Sequence, residues 1–171
     1  MHAITTLGLI AILISQTTPA PRVSPHESVT GGAGGATLTI TYGRPSMRGR
    51  TIFGALVPYD RVWCPGADEA TTLDSDRPLQ IGSLRIPPGP HTIWMLPSAG
   101  TWTLIVSKEP SGFHTEYHER ADLGRVPLTK SRLDTPVERL TFTISATDAD
   151  SGVVDMTWET TKVAVPFRVA R

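Results

Sequence analysis

Apolar residues recur at every second position through much of this chain, and no stretch of ten or more residues keeps a helical period. Side chains of a strand leave alternate faces, so this period describes half-buried β-strands. Leu38, Ile40 and Tyr42 share one face, with Thr37, Thr39 and Thr41 on the other. Leu140, Phe142 and Ile144 repeat the pattern, as do Val154, Met156 and Trp158, and then Val163, Val165, Phe167 and Val169. The last three runs predict a C-terminal antiparallel meander of three strands, turning first at Asp148-Ala149-Asp150-Ser151-Gly152 and then at Thr160-Thr161. Pro166 lacks an N–H, so the final strand is expected at an edge or with a bulge.

The middle of the chain adds a short hairpin, residues 79–81 and 84–86 about Gly82-Ser83. Residues 91–96 and 102–106 are the most apolar strands and are expected at the sheet centre. Residues 51–57 are expected to hold one short helical turn. The 15 Gly and 15 Pro are scattered without period, which suits frequent turns. Together these features predict an all-β fold, an antiparallel β-sandwich with one long packed loop and little helix. That loop, residues 43–68, exceeds the ~12–15 residues usual for a structureless connection. Its Ile52, Phe53, Val57, Tyr59, Val62 and Trp63 imply that it packs on the sandwich.

The N-terminus reads as a leader. Residues 4–14 are apolar apart from Thr5, Thr6 and Gly8, and Thr18-Pro19-Ala20 offers a small-x-small cleavage site. The run is shorter than the ~20 residues of a membrane-spanning helix. Residues 1–20 are therefore expected to be a signal peptide, 21–35 a flexible segment and 36–171 a single β-sandwich domain. Export places the protein in the periplasm or outside the cell. No Cys follows the apolar run before Cys64, which excludes a lipoprotein anchor, and a lone cysteine forms no internal disulfide. Lys plus Arg and Asp plus Glu number 16 each, and no basic stripe of the kind that binds nucleic acid is present.

Two constellations bear chemistry. If residues 113–118 form a strand, His114, Glu116 and His118 share a face, and imidazole with carboxylate suits zinc or copper. Cys64 or His91 would supply a further ligand. The plainer reading is an exposed polar strand face. The second constellation is Arg44, Arg48 and Arg50, with Arg61 nearby, beside Trp63. Guanidinium groups clamp carboxylate, sulfate or phosphate through paired N–H donors. Against that, these arginines could tie the loop down through Asp60, Asp68 or Glu69, or pack on Tyr42, Tyr59 or Trp63. Asp148, Asp150 and Glu159 have the one, three, twelve spacing of a calcium loop, but Val153 stands where its sharp turn needs Gly. Ser46 has no Gly-x-Ser-x-Gly setting, and Cys64 is not part of a Cys-x-x-Cys pair.

The stretch Tyr42-Gly43-Arg44-Pro45-Ser46, Arg48-Gly49-Arg50, Ile52-Phe53-Gly54, Leu56-Val57-Pro58-Tyr59 and Val62-Trp63 resembles a bacterial family of exported proteins catalogued as domain of unknown function 2911. The likeness continues through Gly66-Ala67, Glu69-Ala70-Thr71, Pro88-Gly89, Trp102-Thr103, Trp158-Glu159, Thr161-Lys162-Val163 and Val165-Pro166. It implies a secreted β-sandwich-like domain and no activity. The family often has Arg at the position of Cys64, so the resemblance does not require the thiol. The resulting expectation is a non-catalytic module that binds a small ligand or an envelope protein on the face made by the long loop. The alternative is a metal-binding protein or metal-dependent enzyme built on His114, Glu116 and His118.

Overall fold

The computed structural model describes residues 23–170. The leader expected over residues 1–20 lies outside them, as does Arg171. Nine strands form the structure: β1 (His26–Gly31), β2 (Leu38–Gly43), β3 (Thr72–Ser75), β4 (Leu79–Ile81), β5 (Leu84–Ile86), β6 (Gly89–Leu96), β7 (Trp102–Ser107), β8 (Asp122–Ala146) and β9 (Ser151–Val169). Among the described residues, the one helical element is a single 3-10 turn, Glu119–Ala121. All pairings between these strands are antiparallel, in the order β1-β2-β3-β6-β7-β8-β9-β4-β5, and the sheet does not close into a barrel.

Strand β8 explains how one sheet makes a sandwich. Its first part, Asp122 to Leu128, pairs with β7, whereas Thr129 to Ala146 pairs with β9. It thus belongs to both layers, and the sheet folds over along it. The inner faces meet in a continuous core. Leu38, Ile40 and Tyr42 from β2 face Leu140 and Phe142 from β8 and Met156 and Trp158 from β9, all buried. The Tyr42 ring meets Phe142 edge-on at 5.0 Å, and its hydroxyl accepts the Phe142 N–H at 3.3 Å. Desolvation raises the Tyr42 pKa, which keeps the phenol neutral in this core. As expected from their composition, β6 and β7 sit in the middle of the sheet.

The expected three-stranded meander is in fact two strands. Residues 151–169 run as one strand whose inward side chains change from even numbers (Met156, Trp158) to odd (Val163, Val165, Phe167). The phase changes at Glu159, the residue with φ of 54°, opposite register shifts in β8 at Arg132/Val137 and Val137/Thr141. Such a bulge inserts unpaired residues and turns the alternation over without ending the strand. Pro166 falls between Ala164, the last residue paired with β8, and Arg168, paired with β4. Its missing N–H is tolerated at that seam.

Three further expectations are corrected. Residues 26–31, within the segment expected to be flexible, form edge strand β1 against β2. Residues 113–118 are not a strand: the Glu116 N–H donates to the Phe113 carbonyl at 2.9 Å, closing a turn. Residues 51–57 form a non-helical turn, in which the Val57 N–H reaches the Ile52 carbonyl at 2.8 Å.

Close layer contact at β1 depends on Gly31, where a Cβ would lie 2.6 Å from the Ile144 oxygen and 2.9 Å from its Cβ. Gly31→Ala should cost roughly 1–3 kcal/mol, as overpacking usually does. Gly100→Ala, with 3.9 Å to the nearest atom, should be close to neutral. Urea unfolding of both variants checks this, and equal midpoints would contradict the tight β1–β8 packing.

Candidate functional site

The long loop between β2 and β3 is bound at both ends, to different layers. At its start, the Met47 N–H donates to the Glu138 carbonyl (2.8 Å) and the Leu140 N–H to the Pro45 carbonyl (3.0 Å), with Ser46 bridged to Arg139. Further on, Trp63 and Met95 exchange both backbone bonds at 2.8 Å, and the Asp60 N–H reaches the Pro97 carbonyl. The first set lies on β8 and the second follows β6, so the loop straps across one end of the sandwich. Phe53 pins it there. Its ring contacts Trp102 of β7 at 4.7 Å, Trp63 of the loop at 5.9 Å and Trp158 of β9 at 6.0 Å, all edge-on. Trp63 stacks on Trp158 at 6.2 Å and 17°. The Glu159 carboxylate accepts the Ile52 and Phe53 N–H groups at 3.5 and 3.4 Å.

Between loop and sheet lies an open groove of about 390 Å³. Arg48, Arg50, Trp63 and His114 line it, together with Leu56, Val57 and Trp158. Arg44 does not. It is a strut, with Nη1 on the Glu27 carboxylate (3.0 Å), Nε on the Leu140 carbonyl (3.0 Å) and Nη2 on Thr141 Oγ1 (2.9 Å). It joins the end of β2 to β1 and to the other layer. Arg50 donates through Nε to the Met47 carbonyl (2.9 Å) and through Nη2 to the Ser46 carbonyl (2.8 Å). Arg48 stands at φ of 51°, gives its backbone N–H to Glu138 Oε1, and reaches the Val23 carbonyl through Nη2 at 3.3 Å. Arg61 is exposed outside the groove lining. None of Asp60, Asp68 and Glu69 pairs with Arg44, Arg48 or Arg50 among the described residues. A second groove, about 400 Å³, lies by Phe53, Tyr59, Lys130, Arg132 and Glu159.

The residues considered as metal ligands do not come together. His114 Nδ1 lies 2.6 Å from the Asp68 carbonyl, whereas His118 Nδ1 lies 2.9 Å from Glu109 Oε1. Glu116 is exposed at the turn that separates them. His91 is buried with Nδ1 2.9 Å from the Ser107 carbonyl and Nε2 3.1 Å from the Pro87 carbonyl, so both nitrogens already face acceptors. Among the described residues, no group of three or more His, Cys, Asp or Glu side chains could hold a metal ion. Tyr117, between the two histidines of the turn, packs on Trp94 at 5.2 Å and donates to Asp122 at 3.0 Å. Burial and the Asp122 carboxylate push its phenol up to about 12. Arg125 Nη2 donates to Tyr117 Oη and Glu119, and its Nε to Asp122, which together anchor this loop to β8.

Cys64 is buried in a small satellite core with Ala70, Trp94 and Ile105, where Sγ accepts the Thr71 N–H at 3.2 Å. Burial pushes its thiol from 9.0 to about 11. The folded chain therefore holds this proton more tightly than the unfolded one. Stability from the neutral thiol is complete below pH 9 and is lost as pH rises towards 11, by at most about 2–3 kcal/mol. Cys64→Ala should flatten the fall in melting temperature between pH 9 and 10. The wild-type thiol should also resist Ellman's reagent until the protein unfolds. Rapid labelling of the native protein would contradict the burial.

Trp158, Leu56 and Val57, which line the groove, are not among the sequence-derived candidates, and His114, a candidate metal ligand there, also lines it. Trp158 carried a signal, since Trp158-Glu159 belongs to the same set of motifs as the loop. Among the described residues, no helix is long and apolar enough to cross a membrane. No curated protein and no solved structure matches the chain. Residues 24–167, by contrast, match one family over nearly the whole described chain: the protein belongs to the family described as "Protein of unknown function (DUF2911)".

Proposed function

We propose that this protein is an exported, non-catalytic module that binds a small ligand in the groove between the long loop and the sheet. The observation that carries this reading is the construction of the groove. Its walls are held by backbone bonds to both layers and by the Phe53 contacts, so a ligand would meet a surface already in place. A preformed concave site with aromatic walls and few polar groups is the usual form of a small-molecule site, and it spares the ligand the cost of ordering a loop. Among the described residues, neither Ser24 nor Ser46 of the lining is hydrogen-bonded to His114, which favours binding over catalysis. Export is supported by the leader-like residues 4–14 and the small residues that follow.

Two measurements test the two halves. A thermal-shift screen of a broad fragment library should find ligands that bind saturably. Trp63→Leu, which trims a wall, and Ala67→Phe, which fills the groove, should each weaken them by about tenfold or more, a loss of about 1.4 kcal/mol. Binding indifferent to both folded variants would place the site elsewhere, and no binder at all would refute the module. For export, protein recovered from the periplasm should begin near Pro21 when sequenced from its N-terminus. Recovery from the cytoplasm with residues 1–20 intact would refute that half.

A further inference from the structure

The groove is cationic, although the chain as a whole is neutral. Its lining holds Arg48, Arg50 and His114, and neither Asp nor Glu. Ion pairs neutralise Arg44, Arg125 and Lys162 elsewhere, at 2.8–3.0 Å. Arg48 and Arg50 have no ion-pair partner among the described residues. Their bonds go to the carbonyls of Val23, Met47 and Ser46, which orient a guanidinium without cancelling its charge. The Glu138 carboxylate accepts the Arg48 backbone N–H, not its guanidinium. Arg50 is held through Nε and Nη2, which fixes the plane of its guanidinium, and among the described residues Nη1 makes no hydrogen bond, a geometry suited to an oxyanion.

His114 adds a second polar feature. One carbonyl oxygen, that of Asp68, accepts both its backbone N–H (3.0 Å) and its ring Nδ1–H (2.6 Å). A carbonyl cannot donate, so Nδ1 carries the hydrogen and Nε2 of the neutral ring is an acceptor. Apart from Ser24 and Ser46, the rest of the lining is apolar and includes Trp63, Trp158, Leu56 and Val57. Leu56, at 47% exposure, is one of the few large apolar side chains left open to solvent.

We infer that the groove selects a small organic anion, with a carboxylate, sulfate or phosphate on Arg48 and Arg50, a flat apolar body against Trp63, and a hydroxyl or amide donor to His114 Nε2. This rests on the binding-module reading above and narrows it to a ligand class. Low-dielectric aromatic walls strengthen the attraction, and the opening to solvent keeps it sensitive to salt.

The test is isothermal titration of the purified protein, at low ionic strength, with matched pairs: 1-naphthoate against 1-naphthamide, and phenyl phosphate and benzenesulfonate against benzyl alcohol. The acid should bind at least about tenfold more tightly than its amide, with the advantage shrinking as NaCl is added, and the preferred head group identifies which oxyanion is read. Arg48→Gln, which breaks only one 3.3 Å side-chain bond, should abolish most of the acid's advantage over the amide. Arg50→Lys keeps the charge but loses the planar fork, and should reduce the preference less than Arg50→Gln does. Equal affinity for acid and amide, with binding still lost in Trp63→Leu, would overturn the anion inference and leave the binding module standing. An acid preference that survives both Arg→Gln substitutions would also overturn it. The absence of saturable binding by any compound would remove both.

Discussion

Phe53 is the contact on which the functional end of this molecule depends. Its ring touches a tryptophan from the first layer (Trp102), one from the second (Trp158) and one from its own loop (Trp63). Aromatic pairs of this geometry contribute roughly 0.5–1.5 kcal/mol each beyond the area they bury. Three of them on one ring offset a small part of the entropy of ordering a long connection, and fix where it lies. The indole N–H groups of two of these tryptophans are also satisfied, Trp102 by the Ser98 carbonyl and Trp158 by that of Glu138. The same Glu138 carbonyl receives Met47 of the loop. Loop, layers and groove wall therefore share one set of contacts.

Most of the fold was legible because burial is periodic in strands. The 79–86 hairpin, β2, β6 and β7 follow directly from alternation and turn residues. What escaped did so for identifiable reasons. In β1 the inward positions are Glu27, Val29 and Gly31, and only Val29 is an ordinary core residue. Gly31 is there because Ile144 leaves no room for a side chain, and a strand shaped by close approach has no hydrophobic signature. In β9 the bulge at Glu159 inverted the phase, and a change of phase reads like a change of strand. In β8, residues 129–139 are polar or exposed apart from Leu133 and Val137, so only the end of the strand was visible.

The candidate site was legible in composition but not in arrangement. The loop's arginines and tryptophan were apparent, yet they look alike in sequence. Only partners in space separate Arg44, a strut into the opposite layer, from Arg48 and Arg50, which line the groove. Alternation failed at His114 and His118 for a different reason. Residues 113–118 have the polar–apolar rhythm of a strand but no neighbouring strand to bond, and the chain closes a turn at Phe113 instead. Rhythm without a pairing partner does not make a strand.

The place of β9 in the sheet bears on how the chain can reach this structure. The last strand in sequence is an interior strand in space, between β8 and the β4–β5 hairpin. Until it is present, that hairpin has no hydrogen-bonded neighbour, the second layer lacks its middle strand, and much of the core face of the first layer stands uncovered. Trp158, the wall that Phe53 and Trp63 lean on, arrives with it. Synthesis of the first hundred or more residues therefore produces no folded intermediate with a closed core. Pairings this distant in sequence also form slowly once the chain is complete. A strand order that places the covering strand after all its neighbours leaves the core face open until that strand has been made.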